Sequence, residues 1–147
     1  MTGTSTARGS VLVDTGAFIA LADARDRLHA AAVETNARLG SASRMTTQAV
    51  VGETYAFLRY HLSAFAAHAW LDGVRRARDS RHLTVICTDL TDGDQAEAIL
   101  LQFTDQALSY VDGLTLAVAD RHDVGAIFAF DHHLALTGHR LLPVPVA

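Results

Sequence analysis

Ser10-Val-Leu-Val-Asp-Thr-Gly-Ala-Phe-Ile-Ala-Leu21 is the stretch on which the interpretation of the whole chain depends. A short apolar run at 11–13 stops at Asp14, and a helical pattern begins near Gly16. Branched apolar residues bounded by a turn signal are typical of a buried parallel strand. A carboxylate that ends such a strand lies where open α/β sheets bind their ligands. Asp is also a favoured N-cap, so Asp14 alone does not distinguish a functional site from a helix cap.

The length and composition predict one domain. A chain of 147 residues, half of them hydrophobic, is large enough to bury a core. We expect a flexible N-terminal tail over 1–9 and a single domain over 10–147. No apolar run is long enough to cross a membrane, and the polar N-terminus lacks the apolar segment of a signal peptide. Together with a single cysteine, Cys87, this predicts a cytoplasmic protein.

The charged residues limit the possible functions. The net charge of −4 argues against a protein that coats nucleic acid, but it permits an enzyme that contacts a few phosphates. Lysine is absent, and all twelve basic side chains apart from histidine are arginine. Mechanisms that require a lysine are therefore excluded.

Strand and helix patterns alternate along the chain. This alternation predicts a central parallel sheet sandwiched between helices and joined by right-handed crossovers. Thr91 and Asp94 have the spacing of a capping box for one helix. The prolines at 143 and 145 predict that the last strand lies at an edge of the sheet. The predicted strands are 11–13, 44–48, 83–88, 126–130 and 141–144, and the predicted helices are 17–22, 28–39, 49–61, 63–78, 91–103, 112–123 and 131–137.

Three acidic residues occupy the ends of these elements. Asp14 ends the first strand, Asp131 ends the strand at 126–130, and Asp112 opens a helix. The carboxyl ends of parallel strands share one edge of the sheet, so these side chains are candidates for a common site. Helix capping would also account for all three of them.

Glu53 is the most informative residue, because capping cannot account for it. It lies inside a predicted helix, on a stripe that is otherwise apolar and contains Ala49, Val50, Phe57 and Tyr60. An ionised glutamate on a stripe that faces the core is costly unless it is paired. Since the chain has no lysine, we expect either an arginine or a metal ion beside Glu53.

A metal ion would account for all four acids together. Carboxylates gathered at one edge repel one another and raise one another's pKa. Mg²⁺ reverses that penalty, and it prefers a few carboxylates together with water and substrate phosphate. Such a site activates a water molecule for displacement at a phosphodiester.

Four short motifs resemble, in order, the acidic motifs of PIN domains. They are Val-Asp-Thr at 13–15, Thr-Thr-Gln-Ala-Val-Val-Gly-Glu at 46–53, Tyr-Val-Asp-Gly-Leu-Thr-Leu-Ala at 110–117 and Phe-Ala-Phe-Asp-His at 128–132. The resemblance spans about Val11 to Val144, and the length is similar to that of the VapC-type toxin ribonucleases of this family. Gly16, Ala129 and Leu134 depart from residue types that the family often has at the corresponding positions.

The resemblance carries expectations about fold, activity and partners. It implies a PIN-like three-layer α/β/α sandwich and a ribonuclease that depends on Mg²⁺ or Mn²⁺. Asp14, Glu53, Asp112 and Asp131 match the catalytic, metal-binding acids, and Thr15 is expected to support them. The resemblance also implies an RNA substrate, a small antitoxin partner of a type II toxin–antitoxin pair, and a homodimer.

Other candidates and alternatives remain open at this point. Arg75, Arg76 and Arg78 could contact RNA, although arginines at a helix end also complement its dipole. His132, next to Asp131, could contact a scissile phosphate. A receiver domain would need a lysine, and a dehalogenase-type phosphatase would need an Asp where Gly16 stands. A catalytically weak PIN-like scaffold that binds a partner protein or RNA is the remaining alternative.

Overall fold

The computed structural model describes residues 9–144, as five strands, six α-helices and one short 3₁₀ helix. Apart from Gly9, the expected tail at 1–9 lies outside the described residues, as do 145–147. No helix in the part described is both long enough and apolar enough to span a membrane. The elements in chain order are β1 Val11–Val13, α1 Thr15–Ala22, α2 His29–Leu39, β2 Arg44–Thr47, α3 Gln48–His61, α4 Ala64–Asp79, β3 Leu83–Ile86, α5 Leu90–Gln102, α6 Tyr110–Arg121, β4 Ala126–Phe128, the 3₁₀ helix His132–Ala135 and β5 Leu141–Leu142.

The five strands form one parallel sheet in the order β3-β2-β1-β4-β5. β1 lies in the middle, where Leu12 pairs with Met45 of β2 and with Ile127 of β4. A central strand is covered on both faces, which explains why all three residues of β1 are apolar. The predicted parallel sheet is therefore confirmed. β5 lies at an edge, as its prolines predicted.

Helices cover both faces of the sheet. Leu12 packs in a core on the side of α5 and α6, with Ile99 and Leu116. Val11 and Val13 point to the opposite face, where they pack with Ala17 of α1. Because neighbouring residues of a strand point to opposite faces, three residues of β1 serve both cores. The result is the expected three-layer α/β/α sandwich.

The helix starts differ in detail from the sequence prediction. The capping box of α5 consists of Asp89 and Asp92, not Thr91 and Asp94, so the helix begins at Leu90. Asp and Thr both cap helices well, and the spacing alone did not distinguish the two possible boxes.

The start of α6 is held against α5 by a close contact at Gly113. A Cβ atom at this position would lie 3.2 Å from the carbonyl oxygen of Ala96 and 3.3 Å from its Cβ. Only glycine permits this approach without movement of the backbone. The contact positions Asp112, the residue immediately before Gly113.

Candidate active site at the carboxyl edge of the sheet

Asp14 follows β1 directly and is bonded through its backbone to two neighbouring elements. Its N–H donates to the carbonyl oxygen of Phe128 at the end of β4 (3.0 Å), and its carbonyl accepts from the N–H of Phe18 in α1 (3.2 Å). Asp14 is the N-cap residue of α1, yet its side chain makes no capping hydrogen bond. Helix capping therefore does not account for this carboxylate.

The Asp14 carboxylate lies in an unusual electrostatic environment. Its residue is only 5% exposed, and Oδ1 is buried without a hydrogen-bond partner in residues 9–144. Burial, followed by the negative charges of Asp112, Glu53 and Asp131, outweighs a hydrogen bond from the Thr15 backbone and raises the pKa of Asp14 to about 7. The structure thus brings the four acids of the sequence analysis into one electrostatic cluster.

Glu53 lies at the boundary of the buried face of α3. The buried residues of this helix are Val50, Thr54 and Leu58, whereas Tyr60 is 82% exposed. The predicted stripe therefore faces the core only in part: Val50 is buried and Glu53 partly buried, but Tyr60 is exposed, because the most buried stripe is displaced by one residue around the helix. Glu53 is partly buried, and none of the arginines in the described part of the chain forms a salt bridge with it.

Asp112 lies in the first turn of α6, where it completes a capping box with Ser109. Its Oδ2 accepts from the Ser109 N–H (2.9 Å), and its own N–H donates to Ser109 Oγ (3.0 Å). The sequence predicted that this helix begins at Asp112, but it begins two residues earlier, at Tyr110. Asp112 therefore does cap the helix, and its charge also acts on Asp14.

Asp131 precedes the 3₁₀ helix and contacts a histidine. Its Oδ1 accepts from the backbone N–H of His133 (3.0 Å) and lies 2.7 Å from His133 Nδ1. The adjacent His132 is exposed. β4 ends at Phe128 rather than at residue 130. Asp131 is therefore the third residue after the strand and does not follow it directly, as the sequence predicted.

The four acids are spaced more widely than the direct ligands of one ion. Within residues 9–144, no three of them have carboxylate oxygens all within 4.8 Å of one another. Mg²⁺ commonly keeps several of its waters and contacts only one or two protein carboxylates directly. This spacing is therefore compatible with Mg²⁺ bound partly through water.

Buried hydroxyl groups accompany three of the acids. Thr15 follows Asp14 and Thr54 follows Glu53, while Thr115 lies one helical turn after Asp112. Each hydroxyl is buried without a hydrogen-bond partner in the described residues. Of these three, only Thr15 was predicted from the sequence, although the positions of Thr54 and Thr115 beside the acids could also have indicated them.

The arginine candidates lie elsewhere. Arg75, Arg76 and Arg78 are exposed near the end of α4, which leads into the start of β3 and so to the amino edge of the sheet. Arg76 forms a salt bridge with Asp72, and Arg78 Nε lies 3.5 Å from Asp79 Oδ1. The structure does not bring these arginines to the acids, whereas His132 is adjacent to Asp131.

Comparison with known proteins assigns the chain to a family. The model of the PIN domain matches residues 11–139. The chain belongs to the PIN domain family. No curated protein gives a significant match to its sequence.

A solved structure supports the same assignment of this PIN domain. The crystal structure of VapC20 from Mycobacterium tuberculosis, described as a sarcin–ricin loop cleaving toxin, superposes with a TM-score of 0.79 at 27% sequence identity. The match covers 88% of this chain and 95% of VapC20. Fold and family are thus established by two independent comparisons.

Proposed function

We propose that this PIN domain is a metal-dependent endoribonuclease that hydrolyses RNA phosphodiester bonds. One observation carries the proposal: Asp14 is a buried carboxylate with an unbonded oxygen, and three further acids act on its charge. Such an arrangement is unfavourable without a cation. A buried carboxylate whose pKa is strongly raised, with other acids beside it, is typical of a functional site.

The residues present fit Mg²⁺ or Mn²⁺. The buried Asp14 Oδ1 has no hydrogen bond within the described residues, and all four candidate ligands, Asp14, Glu53, Asp112 and Asp131, are hard oxygen donors that suit these ions. A bound divalent ion would lower the pKa of a coordinated water and stabilise negative charge on a phosphodiester.

The chain's own residues have distinct tasks in this proposal. Asp14 supplies the buried negative charge, and the hydrogen bond to Phe128 fixes its backbone. The Ser109 capping box holds Asp112 at the start of α6. His133 orients Asp131. The buried hydroxyls of Thr15 and Thr54 follow two of the acids directly in the chain and have no hydrogen-bond partner in the described residues.

The proposed biological role is that of the toxin in a type II toxin–antitoxin pair. Its support is the likeness to VapC20, which is described as a toxin that cleaves the sarcin–ricin loop. In this role the protein cleaves RNA, is inhibited by a small antitoxin protein, forms a homodimer and acts in the cytoplasm. Exposed apolar residues where α3 meets α4, namely Tyr60, Leu62 and Phe65, supply surface of the kind that protein partners cover.

One observation favours a second candidate, a PIN scaffold that binds RNA or protein without cleaving it. Asp112 and Asp131 already have structural roles, as a helix cap and as the partner of His133. If those roles were their only ones, the cluster could persist without catalysis. Cleavage assays distinguish the two candidates.

The deciding experiment is RNA cleavage by the untagged protein and by Asp14→Asn. The substrates are a sarcin–ricin stem-loop and an unstructured RNA of equal length, assayed with Mg²⁺, with Mn²⁺ and with EDTA. We expect metal-dependent cleavage by the parent, reduced at least about a hundredfold in Asp14→Asn, since even groups that only support metal ligands contribute about 10–100-fold.

The matched control is Asp105→Asn, the same chemical change at an exposed residue. This variant should cleave like the parent. A parent protein that cuts neither RNA with either metal, or an Asp14→Asn protein that cuts as fast as the parent, would refute the enzyme proposal. The scaffold alternative would then be favoured.

A further inference from the structure

A mixed nitrogen and oxygen cluster lies beside the acid site. Asp131, His132 and His133 each offer a ligand atom, and these atoms all lie within 4.8 Å of one another. No other group of three His, Cys, Asp or Glu residues in 9–144 is this compact. This group offers one carboxylate and two imidazoles, whereas Asp14, Glu53 and Asp112 offer carboxylates alone.

The distances suit a single ion after small side-chain rotations. With metal–ligand bonds of about 2.1 Å, two ligands of one ion lie between about 3.0 and 4.2 Å apart. Asp131 Oδ1 and His133 Nδ1 are 2.7 Å apart, and the whole set lies within 4.8 Å. His132 is exposed, and its ring has no hydrogen bond in the described structure that rotation would break.

The donor types select the metal class. Imidazole nitrogen suits Zn²⁺, Co²⁺ and Ni²⁺, whereas Mg²⁺ prefers oxygen ligands. The rings of His132 and His133 lie 4.2 Å apart between centroids, so two imidazoles are available at one place. The ion would share Asp131 with the acid site and would not need the buried Asp14.

We propose that Asp131, His132 and His133 bind a divalent transition-metal ion of the zinc class, at a site that shares Asp131 with the four-acid site but uses none of its other carboxylates. Because His132 is exposed to solvent, water can occupy the remaining coordination positions of the ion. The protein then has two neighbouring cation sites of different preference, one of oxygen donors alone and one with two imidazoles. The proposal does not require that the acid site cleaves RNA.

The other histidines provide a matched control. His139 Nε2 lies 3.2 Å from Asp120 Oδ1, so this pair has the same Asp–His chemistry as Asp131 and His133. It is not part of any compact group of three ligands within the described residues. His139→Ala therefore removes an acid-bound imidazole without removing the proposed site.

The test is calorimetric titration of ZnCl₂ into untagged protein, with Mg²⁺ in excess to occupy oxygen-only sites. The variants are His132→Ala, the His132→Ala/His133→Ala double variant, His139→Ala and Asp14→Asn. We expect one Zn²⁺ per chain, weakened at least about tenfold in His132→Ala and more in the double variant. His139→Ala and Asp14→Asn should bind Zn²⁺ like the parent.

Each other outcome overturns the proposal. Parental Zn²⁺ affinity in His132→Ala and the double variant would show that these imidazoles are not ligands. Loss in Asp14→Asn would place the zinc in the acid site, and equal loss in His139→Ala would indicate unspecific histidine binding. His132 is exposed, so its single variant tests the site even if the double variant does not fold. A protein that shows the expected zinc binding and yet does not cleave RNA would refute only the proposed function.

Discussion

Two buried aspartates in this molecule have opposite environments. Asp92 in α5 is 2% exposed and Asp14 is 5% exposed. Arg121 donates to both carboxylate oxygens of Asp92, from Nε to Oδ1 (2.8 Å) and from Nη2 to Oδ2 (3.0 Å). The backbone N–H of Asp89 donates a further hydrogen bond (3.0 Å). Asp14 instead has an unbonded oxygen and three acids acting on its charge.

The pKa values of the two residues follow from these partners. For Asp92, burial raises the pKa, but the hydrogen bond from Asp89 and the guanidinium of Arg121 outweigh it and hold the pKa below its ordinary value. For Asp14, burial and the neighbouring acids outweigh the hydrogen bond from the Thr15 backbone, and the pKa rises to about 7. Similarly low exposure thus marks a structural ion pair in one place and a candidate cation site in the other.

The largest predicted effect is a pH dependence of stability that comes from Asp14. Its pKa is about 7 in the folded protein and near 3.8 in the unfolded chain. The folded state therefore holds the proton more tightly, and stability falls as pH rises from about 4 to about 7. At 1.36 kcal/mol per pH unit, the loss is on the order of 4 kcal/mol.

Asp14→Asn should remove this loss, so in EDTA at pH 8 the variant should be more stable than the parent, while at pH 4 the two should be equal. Urea denaturation across this pH range measures the difference, with Asp105→Asn as the control. Parallel pH curves for the parent and Asp14→Asn would show that Asp14 ionises without penalty, and the contrast with Asp92 would fail.

Asp92→Ala should act in the opposite direction. It leaves Arg121 without its partner and removes the capping box of α5, so the free energy of unfolding should fall by about 3 kcal/mol at pH 7. The expected loss lies at the lower end of the range for broken ion pairs because Arg121 is 46% exposed and stays hydrated in the variant. The lowered pKa of Asp92 means that this stability is present above about pH 4 and is lost as pH falls further.

The control for this variant is Asp94→Ala, an exposed aspartate two residues along the same helix. It should change stability by less than about 0.5 kcal/mol. Chemical denaturation at pH 7 and pH 3 measures both variants. If both cost the same, the Asp92–Arg121 pair has no special structural role.

Mg²⁺ or Mn²⁺ should stabilise the protein through the Asp14 region. At a hundred times its dissociation constant, Mg²⁺ or Mn²⁺ should add about 2.7 kcal/mol, or about 5–10 °C in melting temperature. The shift should be absent in Asp14→Asn and unchanged in Asp94→Ala. Thermal melts at matched ionic strength measure it, and an equal shift in Asp14→Asn would place the cation elsewhere.

The smallest predicted effect separates the two roles of Asp112. Asp112→Asn keeps an acceptor for the Ser109 N–H and removes one charge near Asp14, so the metal-free protein should gain about 1 kcal/mol. Ser109→Ala removes the cap instead and should cost about 1 kcal/mol. Only Asp112→Asn should weaken Mg²⁺ binding, measured by calorimetry. If the two variants bind Mg²⁺ equally, Asp112 is a cap and nothing more.

The contrast also shows why sequence could assign some residues and not others. Asp14 and Asp92 are both aspartates near predicted helix starts, where helix capping is an alternative to a functional role. Only Asp92 caps with its side chain. Its partner Arg121 lies 29 residues away, and no local pattern indicates that pairing.

By itself, the sequence determined the alternation of strands and helices, because apolar periodicity and turn residues are local properties. It also determined that Asp14 ends a buried strand, and parallel strands place their carboxyl ends at one edge. Four ordered motifs were sufficient to indicate the PIN family, which the family model confirms over residues 11–139.

Only the tertiary structure decided which face of α3 is buried, and hence that Glu53 lies at its boundary, with no salt bridge to an arginine in the described residues. It also decided that Arg75, Arg76 and Arg78 lie away from the acids, and that His133 contacts Asp131. The physical reason is that burial and charge pairing depend on residues distant in the chain. A helix packed at a slightly different rotation has the same local pattern and a different buried face.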